Sequence, residues 1–222
     1  GVQTCALPIS EIARRYEIRG IPAVKAFRDG VVVDEFVGAL DGRAVRAFLD
    51  KLAPSEEQQV IDRAQAALRG GAAAEAEALL RPLLGPGAAP RVPLLLGEAL
   101  LRRADLDAAR LAEAEALLGS VDPRSAEAER AEALGRAIAF LKEPAPDGGE
   151  EGARARLAAD RKDHEARFGL AALFGRAGRH REALGELLEI VSRSRRFRDD
   201  GARLAMLAIF EILGPEHELV SD

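Results

Sequence analysis

The chain has 222 residues and a net charge of −5, and only 4% of its residues are aromatic. An acidic chain with few aromatic side chains lacks the general attraction to phosphates and the stacking platforms that nucleic-acid binding uses. Its single cysteine excludes an intrachain disulfide, and no apolar run approaches the roughly 20 residues that a membrane-spanning helix needs. We therefore expect a cytoplasmic protein that binds neither nucleic acid nor a membrane.

A composition rich in alanine and leucine favours packed helices, but the first part of the chain carries a β-hairpin pattern. Residues 11–16 are typical of the last turns of a helix, and residues 23–27 and 31–37 are predicted strands. Val32 and Val33 belong to opposite faces of the second strand. Since both are apolar, we expect both faces of the hairpin to be covered.

A helix is predicted after the hairpin, with Asp41 as its N-cap. Its apolar stripe consists of Val45, Phe48, Leu49 and Leu52. The segment Ala53-Pro54-Ser55 ends this helix, and helical periodicity continues from there to the end of the chain. We therefore predict a mainly α protein with a partial α/β unit over residues 11–53 and helical repeats over residues 54–222.

Three segments of the first unit resemble the C-terminal half of the thioredoxin fold. They are residues 16–22 (YEIRGIP), 27–30 (FRDG) and 37–39 (VGA). In that family the proline that matches Pro22 follows a cis peptide bond, and the residue before it offers its backbone to bound peptide. The resemblance therefore implies that Ile21 and Pro22 are the peptide-binding residues of this unit.

The remainder of a thioredoxin fold, with its Cys-x-x-Cys helix, is expected before residue 11, but residues 1–10 (GVQTCALPIS) do not resemble it. Residues 1–9 resemble instead the translation of a common sequencing-library adapter. We therefore predict that residues 1–10 are foreign to the protein and that Cys5 has no biological role. Residues 11–53 are then half of a larger domain, without a catalytic residue of their own.

Helical hairpins recur in the second part of the chain at a spacing of about 34 residues, which is typical of tetratricopeptide (TPR) repeats. The clearest unit spans residues 164–191, and another includes residues 94–111. Small side chains at the packing positions let two helices cross closely. The predicted packing residues are Leu96, Gly97, Leu100 and Ala109 in one unit and Leu170, Ala171, Phe174, Ala183, Leu187 and Ile190 in the other. Between the two units, residues 123–142 are predicted to form one long helix.

A half thioredoxin domain followed by degenerate TPR units resembles the bacterial thioredoxin–TPR fusion proteins known as chaperedoxins. This resemblance implies a holding chaperone or co-chaperone that needs no cofactor, with unfolded client proteins and a chaperonin as its partners. Two other interpretations stay open. One is a thiol-disulfide oxidoreductase with a TPR targeting module, whose Cys-x-x-Cys would precede residue 11. The other is a TPR scaffold for an unrelated partner.

A basic cluster follows the clearest repeat unit and consists of Arg193, Arg195, Arg196 and Arg198. It is either a patch for acidic partners or a solvated helix end, where arginines complement the negative pole of the helix dipole. We favour the helix end, because charge patterns alone are weak indications of a binding site. The three histidines lie far apart in the sequence with no cysteine near them, so no metal site is predicted.

Overall fold

The computed structural model describes residues 9–28, 30–104 and 106–221, which divide into two compact units. The first unit extends to Ser55 and the second begins at Glu56. Cys5 lies outside the described residues, so the adapter interpretation of the first residues stays a prediction. Within the described ranges, no helix is long and apolar enough to cross a membrane.

The first unit contains the predicted antiparallel hairpin. Its elements are α1 (Ile9–Arg15), β1 (Ala23–Arg28), β2 (Val31–Val37) and α2 (Gly42–Leu52). The pairing of β1 with β2 shifts register between Ala26 and Phe27. Asp41 caps α2, because its Oδ1 accepts the backbone N–H of Ala44 at 2.8 Å. The hairpin and the N-cap of the following helix are therefore confirmed.

The expectation that both faces of the hairpin are covered is wrong for the described residues. Exposed side chains alternate with half-buried ones along β2, and Val33 is 45% exposed. Two edge-to-face contacts are made to the hairpin. Phe27 contacts Tyr16, the residue after α1, with 5.1 Å between ring centroids, and Phe36 contacts Phe48 of α2 with 4.9 Å. No described side chain of this unit is buried, because two strands and two short helices are too few to enclose a core.

The second unit is helical throughout its described elements. They are α3 (Glu56–Arg69), α4 (Ala73–Leu80), a 3-10 turn (Arg81–Leu83), α5 (Arg91–Leu101), α6 (Ala108–Gly119), α7 (Ala128–Leu141), α8 (Gly149–Ala159), α9 (His164–Arg176), α10 (His180–Arg193), α11 (Gly201–Leu213) and α12 (Glu218–Ser221). Consecutive helices from α3 to α7 and from α8 to α12 contact each other, and α7 also contacts α9 and α11. The mainly α fold class is confirmed, and α7 links the two halves of the unit.

The core of the second unit is centred on α5. Every residue of this helix from Val92 to Leu101 is buried, because α3, α4, α6 and α7 all contact it. The near-continuous apolar sequence LLLGEALL explains why the helix is enclosed on all sides. Each fully buried leucine stabilises the fold by about 1.5–3 kcal/mol relative to an exposed one. This unit therefore has the hydrophobic core that the first unit lacks among its described residues.

The predicted helix over residues 123–142 is shorter than expected, because α7 begins only at Ala128. Asp122 organises a turn before it. The backbone carbonyl of Asp122 accepts a hydrogen bond from Ser125 Oγ at 2.7 Å. The side-chain Oδ1 of Asp122 accepts another from the backbone N–H of Arg124 at 2.8 Å. An aspartate that binds the backbone two residues later favours a turn over a helix. The predicted helix start at residue 123 is therefore about five residues too early.

Ala109 is not a packing residue, contrary to the prediction. It is exposed in the first turn of α6, whereas Leu111 and Ala114 are buried. The cause is the connection before α6, residues 102–107, which is longer than the equivalent connection at residues 177–179. The longer connection starts α6 later. Because a helix turns once in about 3.6 residues, a different set of side chains then points into the core.

Candidate functional site

The two residues to which the resemblance assigns peptide binding lie immediately before β1. The Ile21–Pro22 peptide bond is cis, and the backbone N–H of Gly38 donates to the Pro22 carbonyl at 2.7 Å. This hydrogen bond ties the start of β1 to the end of β2. The Ile21 side chain is 92% exposed, so an apolar side chain is open to solvent at this end of the hairpin.

The first unit leaves many large apolar side chains exposed, and we call this set the hairpin surface. It consists of Ile12, Ile21, Val24, Phe27, Val31, Val33, Val37, Leu40 and Leu49. Three of them, Val31, Val33 and Val37, share one face of β2 because side chains alternate along a strand. Val24 and Phe27 lie on the opposite face, since they pair with Phe36 and Val32. Apolar side chains exposed singly are ordinary, but the three valines on one face of β2 indicate an interaction surface.

The predicted packing residues of the clearest repeat lie inside the second unit. Leu170, Ala171, Phe174, Ala183, Leu187 and Ile190 are each 2% exposed or less. They belong to α9 and α10, which pack along each other. The guanidinium of Arg179 covers the ring of Phe174 at 4.1 Å from its centroid. These side chains build the repeat and are not available to a partner.

Three predicted packing residues of the earlier repeat unit, Leu96, Gly97 and Leu100, are buried in α5. A Cβ atom on Gly97 would lie 3.0 Å from the Leu118 side chain of α6. Such a distance is too short for an unstrained contact between carbon atoms, whose optimal separation is about 3.5–4.0 Å. The close crossing of α5 and α6 therefore depends on the missing side chain at Gly97.

Arg198 of the basic cluster is part of the fold. Its guanidinium pairs with Glu165 and, at 2.9 Å, with Glu143, and it lies 4.8 Å from the ring centroid of Phe168. The hydrogen bond to Glu165, with a smaller one to Glu143, raises the pKa of Arg198. A side chain with these partners holds the turn after α10 against α9, and its charge is already compensated.

The other arginines of the cluster differ in their surroundings. Arg193 donates to Glu189 at 2.8 Å, one turn earlier on α10. Arg195 and Arg196 are exposed, and their side chains form no hydrogen bond or ion pair within the described residues. The cluster is thus not one uniform patch: two members are paired with carboxylates, and two extend into solvent at the end of a helix, where their charge complements the helix dipole.

The described residues contain no group of three His, Cys, Asp or Glu side chains that could hold a metal ion. One histidine is nevertheless unusual. His180 is the first residue of α10, and its Nδ1 is buried without a hydrogen-bond partner. Burial lowers the pKa of His180, and the nearby charge of His217 lowers it further. The folded state therefore favours the neutral imidazole at this position.

We expect the stability of the second unit to fall as the pH falls below about 6.5, the ordinary pKa of histidine. The unfolded state takes up a proton at that pH, whereas His180 in the folded state takes it up only at a lower pH. Protonation thus favours unfolding until the folded pKa is passed, with a slope of at most about 1.4 kcal/mol per pH unit. Urea titrations of the chain and of His180→Gln across this range measure the difference, and parallel pH profiles would contradict it.

A buried ion network in the second unit was not identified from the sequence. Glu98 in α5 is 8% exposed, and its Oε1 accepts hydrogen bonds from Arg102 and, at 3.4 Å, from Arg130. Arg102 also donates to the backbone carbonyls of Ile212 at 2.6 Å and Leu68 at 2.8 Å. Burial lowers the pKa of Arg102, although the charge of Glu98 opposes that shift. The network joins α3, α5, α7 and α11, and a lone glutamate in an apolar helix was its only sequence signal.

A family model described as "Tetratricopeptide repeat" matches residues 145–222, which contain α8 to α12. No curated protein matches the chain. The match includes the repeat unit that the sequence predicts most clearly. Residues 145–222 are therefore similar to tetratricopeptide repeats, which generally mediate binding to protein partners through the surfaces of their stacked helices.

Proposed function

We propose that this protein is a holding chaperone or co-chaperone that binds unfolded or partner polypeptides without a catalytic step. The observation that carries the proposal is the tetratricopeptide-repeat match over residues 145–222, since stacked helical repeats bind protein partners. The hairpin surface, with large apolar side chains exposed in this 222-residue chain, is proposed as a second contact surface. Exposed apolar surface attracts the apolar segments of another polypeptide. The TPR match supports a protein partner for the second unit.

The proposed mechanism is reversible burial of apolar surface on an unfolded client. Burying roughly 200 Å² of apolar surface stabilises a complex by about 5 kcal/mol, before the cost of ordering the client is subtracted. Binding of that strength is released without ATP. An extended client segment would lie near Ile21 and Pro22, where the side chain of Ile21 is exposed. The proposed partners are unfolded proteins and a chaperonin.

The proposal assigns no thiol chemistry to this chain. Disulfide exchange requires an attacking thiolate and, for turnover, a second thiol, and the chain has the single cysteine Cys5. We also propose a cytoplasmic location, because a chain with one cysteine gains nothing from an oxidising compartment. Reduction of a disulfide substrate by the 222-residue chain would contradict the proposed absence of thiol chemistry. Cell fractionation tests the proposed cytoplasmic location.

We expect the intact chain to suppress light scattering from a thermally unfolding client protein. The double variant Val33→Asp/Val37→Asp places two charges on the exposed face of β2. About ten times the concentration of this variant is expected to be needed for the same suppression of scattering. The loss of two valine contacts weakens client binding by on the order of 1.4 kcal/mol or more. Client scattering against protein concentration measures the effect.

Ala108→Asp/Ala109→Asp is the matched control, because both alanines are exposed on α6 and the variant adds the same two charges outside the hairpin surface. It is expected to suppress scattering as well as the unmodified chain. If the unmodified chain neither suppresses scattering nor captures a client or a chaperonin, the proposal is wrong. Copurification of one stoichiometric protein, without holding activity, would favour the TPR scaffold instead.

A further inference from the structure

The helix α11 carries apolar side chains on both of its sides. Its inner side packs into the second unit, where α7, α10 and α12 contact it. The buried residues are Ala202, Ala205, Ala208, Ile209, Ile212 and Leu213. The opposite, outer side carries Leu204 and Leu207, which are 51% and 45% exposed. The outer side of a surface helix is usually polar, so these two leucines indicate a contact surface.

Five side chains form a stripe along this outer side, with Leu207 at its middle. Leu204 and the half-buried Phe210 lie three residues before and after Leu207, and Arg203 and Glu211 lie four residues before and after it. Residues three or four positions apart are neighbours on one side of a helix. We call these five side chains the α11 stripe. It begins with a positive charge, continues with three apolar side chains and ends with a negative charge.

The α11 stripe is complementary to a second copy of itself that runs in the opposite direction. If Leu207 of each copy lies beside Leu207 of the other, residues equally far before and after Leu207 lie level, because each residue rises by about 1.5 Å. Leu204 is then level with Phe210 of the second copy, and Arg203 with its Glu211. A two-fold axis repeats both pairs. A parallel arrangement would instead bring like charges together, so the charges favour the antiparallel one.

Both charged ends of the stripe have a partner within the chain and remain partly exposed. Arg203 pairs with Asp200 at 2.5 Å, and its side chain is 54% exposed. Glu211 pairs with Arg130 of α7, and its side chain is 43% exposed. The antiparallel contact joins these two pairs into one chain of alternating sign, from Asp200 through Arg203 and the second copy's Glu211 to its Arg130. The leucines therefore supply the apolar burial, and the charges set the direction of the helices.

We propose that the α11 stripe is a dimer contact and that its occupant is a second copy of this chain. The observation that identifies the occupant is the order of the side chains, because a stripe with opposite charges equally far from a central leucine matches its own reverse. A contact between two single helices is small, so the dimer is weak and exchanges with the monomer. This inference goes beyond the holding function and does not involve the hairpin surface.

The test is sedimentation equilibrium of the intact chain at concentrations from about 5 μM to about 500 μM, where we expect a reversible equilibrium between monomer and dimer. Leu207→Asp places two like charges side by side on the two-fold axis, and it is expected to raise the dissociation constant at least about tenfold. Leu84→Asp is the matched control, because Leu84 is 44% exposed and lies outside α11. Far-UV circular dichroism checks that both variants are folded.

Arg203→Glu tests the direction of the helices, because it makes both ends of the stripe acidic. It is expected to raise the dissociation constant about threefold to tenfold, since exposed charge pairs are individually weak and the axis repeats the change. Arg136→Glu is the control for this variant. Arg136 pairs with a carboxylate on its own helix, as Arg203 does, and is 65% exposed on α7, so the change in net charge is the same.

Leu207→Cys in a Cys5→Ser background locates the axis, because the chain has no other cysteine. Helices packed about 8–10 Å apart bring facing Cα atoms within the roughly 7 Å that a disulfide spans. Mild oxidation is therefore expected to link the dimer through residue 207, whereas Leu84→Cys in the same background should stay monomeric on a non-reducing gel.

Four results would each overturn the inference. They are a monomer at every concentration, equal effects of Leu207→Asp and Leu84→Asp, equal effects of Arg203→Glu and Arg136→Glu, and equal cross-linking of the two cysteine variants. A dimer that persists in Leu207→Asp but is lost in Val33→Asp/Val37→Asp would place the contact on the hairpin surface and would also overturn it. Because Leu207→Asp leaves the hairpin surface intact, the holding assay can fail or succeed separately.

Discussion

Arg102→Met is expected to lower the free energy of unfolding of the second unit by about 3–5 kcal/mol. This is the usual cost of removing one partner of a buried ion pair and leaving the other charge unpaired. The variant leaves the carboxylate of Glu98, which is only 8% exposed, without its nearest cation. It also removes the donors that now bind the carbonyls of Ile212 and Leu68. Urea unfolding followed by far-UV circular dichroism measures the change.

Arg136→Met is the control for this variant. Arg136 pairs with Glu132 one helical turn away, but the two side chains are 65% and 78% exposed, so its loss is expected to cost less than about 1 kcal/mol. In the double variant Glu98→Met/Arg102→Met, no buried carboxylate is left unpaired, and part of the lost stability should return. If Arg102→Met and Arg136→Met were equally stable, the ion network would have no role in joining the helices.

Features of the fold that depend on neighbours in the chain could be predicted from the sequence. The cap at Asp41 was predictable because the side chain binds the backbone N–H of Ala44, three residues away. The hairpin was predictable from alternating residues around a turn, and the packing side of α9 from its helical spacing. In each case the stabilising partner lies within a few residues, so the pattern itself contains the interaction.

Features that depend on distant partners could not be predicted in this way. Arg198 was interpreted within a surface cluster, but its partner Glu165 is 33 residues away in the chain. Arg130 likewise reaches Glu98 across 32 residues. Ala109 was misassigned because a longer connection rotates α6. A one-dimensional pattern records neither which helix faces which nor how far a connection turns the next helix.

The hairpin surface could be predicted only in part. The pattern of Val32 and Val33 correctly indicated two apolar faces, and the error was to assume that both are covered. Burial depends on what packs against a strand, and the strand sequence does not contain that information. The two units therefore differ in a property that amino-acid composition does not show. Apolar side chains stabilise the second unit by burial, whereas those of the first unit are mostly open to solvent.

This difference predicts unequal effects of the same substitution in the two units. Phe174→Ala is expected to lower the free energy of unfolding by about 3–5 kcal/mol, since Phe174 is 2% exposed and truncation leaves a cavity between α9 and α10. It also removes the ring beneath the guanidinium of Arg179. Phe174→Leu should cost less, because most of the volume is kept. Urea unfolding followed by circular dichroism gives both values.

Phe27→Ala is the matched variant in the first unit. Phe27 is 49% exposed and contacts Tyr16 edge to face, so its loss is expected to cost less than about 1.5 kcal/mol, the lower end for a fully buried aromatic or aliphatic side chain. If Phe27→Ala and Phe174→Ala lowered the free energy of unfolding equally, the first unit would have a hydrophobic core. The hairpin surface would then be unavailable to a client. A large loss at Phe174 alone places the stability of the chain in its repeats and leaves the apolar side chains of the hairpin free for binding.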